Sequence, residues 1–252
     1  MFTLFHALIF GAHVLYFRVS KTPKGGRKPT HSSNTKMKVE DSCYPHFVEA
    51  YVLPLEDVQA ARDVPFDARG GRAKQAALEL KACSEKCPHR SDNLKGGVKP
   101  CYVDLLRQIK PAINGAAKAL DKGSHTTLEV NNYELRLTAW GDVGVLNDEA
   151  LEVLTMLQEL SGAHLSYTAD SDVLKRSGLK AQVSVTSLEA ALEADSQGLK
   201  VYMSGSEEEK QAFRMLAKSP VYRCPVSAPS AQAMGCTTCP LRCNGLRHVL
   251  SP

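Results

Sequence analysis

Seven of the eight cysteines fall in two groups, and this clustering constrains the chain more than any other feature. One group precedes the central segment and the other lies near the end, namely Cys83, Cys87 and Cys101, and Cys224, Cys236, Cys239 and Cys243. Spacers of two or three residues let the backbone turn, so that neighbouring thiolates aim at a single point. The sequence therefore predicts that both groups are metal ligands.

The two groups predict different kinds of metal site. Three thiolates leave one position open, as a catalytic iron or zinc requires, whereas four thiolates close the site. The terminal group fits a structural zinc or a closed [4Fe–4S] cluster, and its spacing does not choose between them. In the front group His89 could replace one sulfur in a zinc site, and Cys43 with His46 could supply further ligands. The alternative to metal in both groups is buried or disulfide-bonded thiols.

The charge distribution argues against a basic, nucleic-acid-binding body. The 252 residues have a formal net charge of +4, but residues 1–39 hold seven Lys or Arg and no Asp or Glu. The rest of the chain has 24 Lys or Arg against 27 Asp or Glu. Contact with nucleic acid would therefore have to come from the basic arm 18–38 or from a local patch. The absence of P-loop and G-x-G-x-x-G motifs disfavours nucleotide hydrolysis and Rossmann redox chemistry.

Residues 1–17 contain no Lys, Arg, Asp or Glu and precede a basic stretch. They could be an untranslated leader with the true start near Met37, a membrane anchor with the remainder held in the cytoplasm, or a buried helix. A cleaved signal peptide fits poorly, because no basic residue precedes the apolar stretch and export would oxidise the cysteines. The Gly, Pro, Ser and Lys content of residues 18–39, which shows no periodicity, predicts a flexible basic linker. We therefore expect a protein of the bacterial host cytoplasm, with membrane anchoring as the alternative.

From residue 40 onward the pattern predicts an α/β domain over 40–220, followed by a cysteine-rich metal-binding tail over 221–252. The predicted strands are 47–56 (broken by Pro54), 133–140, 163–168, 181–186 and 199–203, and the predicted helices are 71–82, 102–110 (interrupted by Pro111), 147–160, 188–197 and 206–218. Their alternation favours mainly parallel strands with crossover helices, arranged as an open sheet or a partial (β/α) barrel. A cysteine loop, 83–101, interrupts this domain.

Small or polar residues follow four predicted strands, at the edge where α/β folds collect their chemistry. They are Trp140-Gly141-Asp142, Tyr167-Thr168 with Asp170, Thr186-Ser187, and Ser204-Gly205. Gly141 permits close backbone approach, and the helix that follows could face a carboxylate. Tyr167, Thr168 and Asp170 could line a substrate pocket. Trp140 could stack on a base or adenine ring. Packing in the core is the alternative for both Trp140 and Tyr167.

Several ordered motifs resemble a family of uncharacterised phage and plasmid proteins. The motifs are CSEKCP and CYV at the front, LRLTAWGD, HLSYTADSD, and the ending YRCPVSAPSAQAMGCTTCPLRCNG, and the similarity spans roughly Cys83 to Gly245. More distantly, the chain is similar to radical-SAM enzymes. In those enzymes three cysteines of an early loop hold a [4Fe–4S] cluster with one iron open to S-adenosylmethionine (SAM), and a strand ending in Gly-Gly-Glu contacts the SAM amino group.

The radical-SAM resemblance implies roles for both cysteine groups. Cys83, Cys87 and Cys101 would hold the active cluster, and the four terminal cysteines would hold an auxiliary cluster. Gly141 and Asp142 would position SAM, and Tyr167 and Thr168 would complete the predicted cofactor-binding residues. Two departures stand out. Thirteen residues separate Cys87 from Cys101 where the family usually has two, and Asp142 has a shorter reach than glutamate. The resemblance implies an iron-sulfur enzyme with an unknown substrate. The alternative is a zinc-stabilised, non-enzymatic protein of phage or plasmid replication or host takeover, whose basic arm touches nucleic acid.

Overall fold

The computed structural model describes residues 1–21, 46–92, 105–224 and 248–250. This part of the chain contains twelve strands and seven α-helices. The strands are β1 (Phe2–Phe5), β2 (Ala7–Phe10), β3 (His13–Lys21), β4 (His46–Pro54), β5 (His125–Leu128), β6 (Tyr133–Trp140), β7 (Ala163–Leu165), β8 (Tyr167–Thr168), β9 (Gln182–Val185), β10 (Lys200–Met203), β11 (Val221–Arg223) and β12 (His248–Leu250). The helices are α1 (Leu55–Asp63), α2 (Gly71–Ala82), α3 (Lys110–Lys122), α4 (Asp148–Glu159), α5 (Ser171–Ser177), α6 (Leu188–Ser196) and α7 (Glu207–Leu216).

These strands form two five-stranded sheets and one two-stranded sheet. The first sheet has the order β2-β3-β4-β6-β7, in which β2, β3 and β4 pair antiparallel and β4, β6 and β7 pair parallel. The second sheet, β11-β12-β10-β9-β8, is parallel throughout. The predicted mixed α/β class with largely parallel strands is thus confirmed, but closure into a barrel is not. Only Ser166 separates β7 of the first sheet from β8 of the second.

Helices α4 to α7 cover one face of both sheets. Successive strand side chains point to opposite faces, and the apolar set on this face joins the inner sides of these helices in one core. Its members include Val48, Ala50, Val52, Leu135, Leu137, Val183, Val185, Val201 and Met203 from the strands and Leu151, Leu154, Leu157, Val173, Ala191 and Phe213 from the helices. Each such large apolar side chain contributes about 1.5–3 kcal/mol when fully buried.

Helices α1, α2 and α3 pack on part of the opposite face of the first sheet. Their core contains Val14, Leu53 and Trp140 from the sheet and Ile113 from α3. Gly115 allows α3 to cross close to β3, because a Cβ atom at this position would collide with the Tyr16 hydroxyl. The tryptophan therefore takes the core position rather than a surface on which a base could stack, since it is 2% exposed.

Residues 2–21 form strands, in contrast to the leader and linker predicted from their composition. β3 pairs with β4 over its whole length, from His13 opposite Pro54 to Lys21 opposite His46. Leu15 and Phe17 are fully buried, so this segment supplies part of the core. Residues 22–45, the rest of the predicted linker, lie outside the described residues. No helix in the described ranges has both the length and the apolar character needed to cross a bilayer.

Four helices follow the sequence pattern closely. The predicted helices 71–82, 147–160, 188–197 and 206–218 correspond to α2, α4, α6 and α7. Asn147 caps α4, since its side chain accepts a 3.0 Å hydrogen bond from the Ala150 N–H. Ser206 and Glu209 form the predicted capping box at the start of α7. The strand predicted at 133–140 coincides with β6.

Two prolines mark boundaries that the pattern placed differently. β4 ends at Pro54 and α1 starts immediately afterwards, whereas the predicted strand continued to residue 56. Pro111 lies in the first turn of α3, just after the preceding π-helical turn changes to α-helix. The helix predicted at 102–110 is a π-helical turn at Leu105–Ile109 that leads directly into α3.

Candidate functional site

The loop that carries Cys83 and Cys87 lies against the carboxyl end of β6. The Asp142 N–H donates a 2.8 Å hydrogen bond to the carbonyl oxygen of Ala82. Gly141 beside it has φ of 82°. A Cβ atom there would lie 2.5 Å from the Val52 carbonyl oxygen and 3.1 Å from that of Ala82. Crowding by β4 and by the loop therefore requires glycine at this position.

Tight turns give the loop a defined backbone. The Cys87 N–H donates to the Ser84 carbonyl at 3.0 Å, and the Arg90 N–H donates to the Cys87 carbonyl at 3.2 Å. The Arg90 guanidinium, which is largely buried, donates to the Cys83 carbonyl at 3.1 Å and pairs with Asp92 at 2.6 Å. The two described cysteines of the front group are therefore held four residues apart on a folded-back segment.

A buried carboxylate fixes the far side of this loop to α2. Glu79 is fully buried and accepts hydrogen bonds from the Ser91 N–H at 3.1 Å and from the Ser91 hydroxyl at 2.5 Å. The Gln75 amide donates to the same carboxylate at 3.0 Å. Because a buried carboxylate is stable only with such partners, the loop and the helix depend on each other.

Lys86 joins the loop to the start of α5. Its ammonium lies 2.7 Å from Asp170 and 2.6 Å from Asp172. The hydrogen bonds that the ammonium donates to these two carboxylates raise the pKa of Lys86. The side chain is half exposed, so each pair contributes only about 0–1 kcal/mol. The cysteine loop thus contacts the carboxyl ends of both β6 and β8.

The Asp142 carboxylate is engaged inside the protein. It accepts hydrogen bonds from the Thr168 hydroxyl at 2.7 Å, the Ala169 N–H at 2.7 Å and the Gly144 N–H at 2.8 Å. Burial raises the pKa of Asp142, and these hydrogen bonds oppose that shift. Asp142 therefore ties β6 to β8, and both of its oxygens have partners.

The predicted cofactor residues Tyr167 and Thr168 point to opposite faces. Thr168 is buried and binds Asp142 on the helix-covered face. Tyr167 is half-buried on the other face, where its ring packs edge-on against Tyr202 with centroids 5.0 Å apart. The structure thus brings Asp142 and Thr168 together and separates Tyr167 from both.

The described cysteines share the carboxyl edge of the sheets. Cys224 follows β11, and its N–H donates to the Leu250 carbonyl at 2.9 Å. It lies at the strand farthest from β8, the strand end that the cysteine loop contacts. The remaining predicted ligands lie outside the described residues, namely Cys101, Cys236, Cys239, Cys243 and Cys43. Among the residues with described positions, no group of three His, Cys, Asp or Glu could hold a metal ion.

His46 does not belong with the front cysteines. It starts β4, whereas the cysteine loop lies near Val52 at the other end of the strand. Six residue steps of extended chain lead from His46 to Val52, which corresponds to about 20 Å. His89, the other alternative ligand, is half-buried within the cysteine loop.

A second candidate region, which the sequence did not reveal, lies on the sheet face opposite α4 to α7. We call it the polar face, and it comprises Arg18, Glu49, Tyr51, Arg136, Tyr167, Ser184 and Tyr202. The strand register aligns Arg18 with Glu49 and Glu49 with Arg136. The one available signal was Glu49, a charge within the otherwise apolar segment 47–54.

Glu49 lies at the centre of this charged group. It is 9% exposed, and its Oε2 accepts hydrogen bonds from the Arg18 Nε at 2.8 Å and the Tyr51 hydroxyl at 3.4 Å. Its Oε1 lies 3.6 Å from Nη1 of Arg136. Burial, followed by the nearby Glu49 charge, raises the pKa of Tyr51 to about 12. Tyr51 is therefore a neutral donor at physiological pH.

A small cleft opens beside the cysteine loop on the helix-covered side. Its volume is about 210 Å³, and it is bounded by Lys86 and Pro88 of the loop, Thr186 after β9, and Glu193 and Gln197 of α6. Pockets for drug-sized ligands typically span about 300–1,000 Å³. This cleft is thus smaller than a usual ligand pocket, and the polar face is the better candidate surface.

Comparison of the chain with protein-family models, curated proteins and solved structures finds no match.

Proposed function

We propose that the chain is an iron-sulfur protein of radical-SAM type, in which Cys83, Cys87 and Cys101 hold the catalytic [4Fe–4S] cluster. The observation that supports this most is the hydrogen bond from Asp142 to Ala82, because it brings the cysteine loop to the carboxyl end of β6. A strand end of this kind is where parallel α/β folds place their reactive groups. The four terminal cysteines, of which Cys224 stands at the same edge, would hold the second cluster.

A partial (β/α) barrel belongs to this proposal. The strands β4, β6 and β7 run parallel, as do β8, β9 and β10, and β7 continues into β8 through Ser166. In a barrel built from these strands, the part of the polar face that α1, α2 and α3 leave uncovered would line the interior. The substrate would then lie between the polar face and the cysteine loop. The host cytoplasm suits such a protein, because thiols stay reduced there.

The residues of the loop fit an iron-sulfur cluster chemically. Cluster ligation requires thiolates, and a nearby guanidinium favours the thiolate form of cysteine. The largely buried Arg90, bonded to the Cys83 carbonyl, provides that charge. When bound, the cluster would supply the electron that cleaves SAM.

Roles at the strand ends follow from where the side chains point. Asp142 and Thr168 bond to each other, so we assign them to positioning the ends of β6 and β8 rather than to binding SAM. Gly141 would present its backbone to the cofactor. Tyr167, half-buried on the polar face beside Tyr202, would contact the cofactor or substrate.

A zinc-stabilised, non-enzymatic protein is the second candidate. The internal hydrogen bonds of Asp142 favour it, because a residue expected to bind the SAM amine is already satisfied. Both cysteine groups would then be structural. Arg18 pairs with Glu49 within the sheet, so any contact with nucleic acid would fall to the remaining basic residues of the 22–38 stretch.

SAM cleavage tests the proposed activity. The full chain, purified without oxygen and reduced, is incubated with SAM, and the release of 5′-deoxyadenosine is measured. Release that is abolished by Cys83→Ala and by Cys87→Ala supports the enzyme. Arg62→Gln, which alters an exposed arginine of α1 that pairs with Asp121, should leave the release unchanged. No release from protein that carries a full complement of iron and sulfide would contradict the proposal.

A further inference from the structure

Arg136 has N–H donors that the described part of the chain leaves unused. Its side chain is 27% exposed, and its one polar contact in the described part of the chain is the 3.6 Å approach to Glu49. A guanidinium carries five N–H donors. Because the side chain is partly exposed, a ligand on the polar face could reach these donors.

Glu49 leaves these donors of Arg136 unused, because its carboxylate accepts hydrogen bonds from Arg18 and Tyr51. Arg18 donates to Oε2 through both Nε and Nη2, and the Tyr51 hydroxyl approaches the same oxygen. The approach of Arg136 to Oε1 is longer than a hydrogen bond. Glu49 thus neutralises part of the charge of two arginines while leaving most donors of Arg136 unused.

The charge balance of this sheet face favours an anion. Its described charged side chains are Arg18, Arg136 and Lys200 against Glu49 and Glu134. Lys200 donates a hydrogen bond to the Ser219 hydroxyl. Glu134 is buried and lies two residues before Arg136 on β6, farther from the cysteine loop. The two arginines therefore form its most positive point.

The position of Arg136 also suits a ligand that extends toward the cysteine loop. Leu165 is its register partner on β7, and Tyr167 follows two residues later on the same face. Two residues of extended chain rise about 6.6 Å, and neighbouring strands lie about 4.8 Å apart. A small molecule held at Arg136 could thus reach the Tyr167–Tyr202 pair near the strand ends.

We propose that Arg136, assisted by Arg18, binds the carboxylate or phosphate group of the substrate. Guanidinium recognises both groups through paired, charge-assisted hydrogen bonds. This inference rests on the proposed function only in assigning the anion to a substrate. Arg136 and Arg18 are binding residues, and Glu49 is the residue that positions them.

Nuclear magnetic resonance of the ¹⁵N-labelled full chain tests the site directly. Inorganic phosphate and acetate are titrated separately while the arginine Nε–Hε signals are followed. We expect a saturating shift of the Arg136 signal with at least one of the two anions, and the tighter one identifies the group. Absence of a saturating shift with both anions would overturn the proposal.

Variants assign the effect to the residues named. Arg136→Gln should weaken binding of the preferred anion about tenfold, the equivalent of about 1.4 kcal/mol. Arg62→Gln, which removes an exposed arginine paired with Asp121, should leave it unchanged. Glu49→Gln should tighten binding, because it removes the competing negative charge. Equal affinity in Arg136→Gln and the unaltered chain would overturn the proposal.

Two further measurements separate this inference from others. If Arg136→Gln does not fold, Arg136→Lys replaces it, and the loss of paired hydrogen bonds should still weaken binding several-fold. Anion binding that survives Cys83→Ala supports the site even if the cluster proposal fails. Displacement of the anion from Arg136 by SAM would assign this residue to the cofactor and contradict the substrate assignment.

Discussion

The backbone N–H of Asp142 donates to the carbonyl oxygen of Ala82 over 2.8 Å, and this bond joins β6 to the chain one residue before Cys83. Glycine at 141 makes the approach possible, because any side chain there would meet β4 and the loop. The side chain of the same aspartate reaches Thr168 at the end of β8. One residue thus connects the cysteine loop with two strand ends.

Gly141→Ala should destabilise the fold strongly. The residue has φ of 82°, and the new Cβ would lie 2.5 Å from the Val52 carbonyl oxygen. Backbone strain and steric overlap together predict a loss of about 2–4 kcal/mol in the free energy of unfolding, measured by urea denaturation. Gly178→Ala is the matched control, since φ is 73° and no atom lies within 4 Å of its Cβ. Equal losses in the two variants would show that the contact with β4 and the loop is unimportant.

Thr168→Val should destabilise the protein by about 1–3 kcal/mol near neutral pH, because it removes a donor from the buried Asp142 carboxylate. The folded pKa of Asp142 is raised by burial. The neutral carboxyl group therefore contributes fully to the free energy of unfolding below the unfolded pKa of about 3.9. This contribution is lost as pH rises through the folded-state pKa. Loss of the Thr168 donor raises that pKa further.

The destabilisation by Thr168→Val should consequently grow with pH from about 4 to about 7 when unfolding is followed in urea. Thr155→Val removes a hydroxyl that bonds to the Leu151 and Ser177 carbonyls, away from any carboxylate. Its effect should not vary over this pH range. A pH-independent effect of Thr168→Val would mean that Asp142 keeps its charge without help from that hydroxyl.

His248→Gln should remove part of the pH dependence of stability. The imidazole is fully buried in β12, where it accepts from the Val201 N–H at 3.3 Å and has Nε2 3.0 Å from Asp195. Burial, and then Lys200, lower the pKa of His248. The stability that the neutral ring contributes is therefore present above about pH 6.5 and is lost as pH falls toward the folded pKa.

The free energy of unfolding in urea at about pH 7.5 and about pH 5.5 measures this effect. The unaltered chain should lose up to about 1.4 kcal/mol per pH unit more than His248→Gln does. His13→Gln, which alters a surface imidazole bonded to the Lys81 carbonyl, should keep the slope of the unaltered chain. If His248→Gln keeps that slope as well, the buried His248 does not cause this pH dependence.

Lys86→Gln should loosen the cysteine loop without unfolding the protein. The ammonium joins the loop to Asp170 and Asp172, but it is half exposed, so the change in global stability should stay within about 1 kcal/mol. Amide hydrogen exchange at Cys87, whose N–H bonds to Ser84, should become faster. Lys175→Gln removes a weaker 3.5 Å pair with Asp172 and should leave this exchange unchanged. Unchanged exchange in Lys86→Gln would contradict a docking role.

Local patterns predicted those elements whose stability is mainly local. The Ser206–Glu209 capping box and the Asn147 cap identify helix starts from neighbouring residues alone. β3 was missed because its pattern becomes meaningful only when it pairs with β4, beyond a gap of more than twenty residues. A long apolar run without charges suits an anchor or helix as well as strands, so composition could not decide.

The candidate site was predictable only where neighbouring residues determine its structure. The turn at Gly141 and Asp142 follows a clear strand, and its position at a carboxyl edge could be inferred from alternation. The pairing of Asp142 with Thr168, twenty-six residues later, requires knowledge of which strand ends are neighbours. The meeting of Arg18, Glu49 and Arg136 depends on the register of three strands, which the sequence does not specify.

The metal content of the full chain, purified without oxygen, tests the central proposal most directly. Iron, acid-labile sulfide and zinc are measured together with the absorption spectrum. We expect iron and sulfide in comparable amounts, with charge-transfer absorption near about 400 nm that is lost in Cys83→Ala and Cys87→Ala. Stoichiometric zinc with no iron and no such absorption would contradict the proposal and favour the zinc-stabilised alternative.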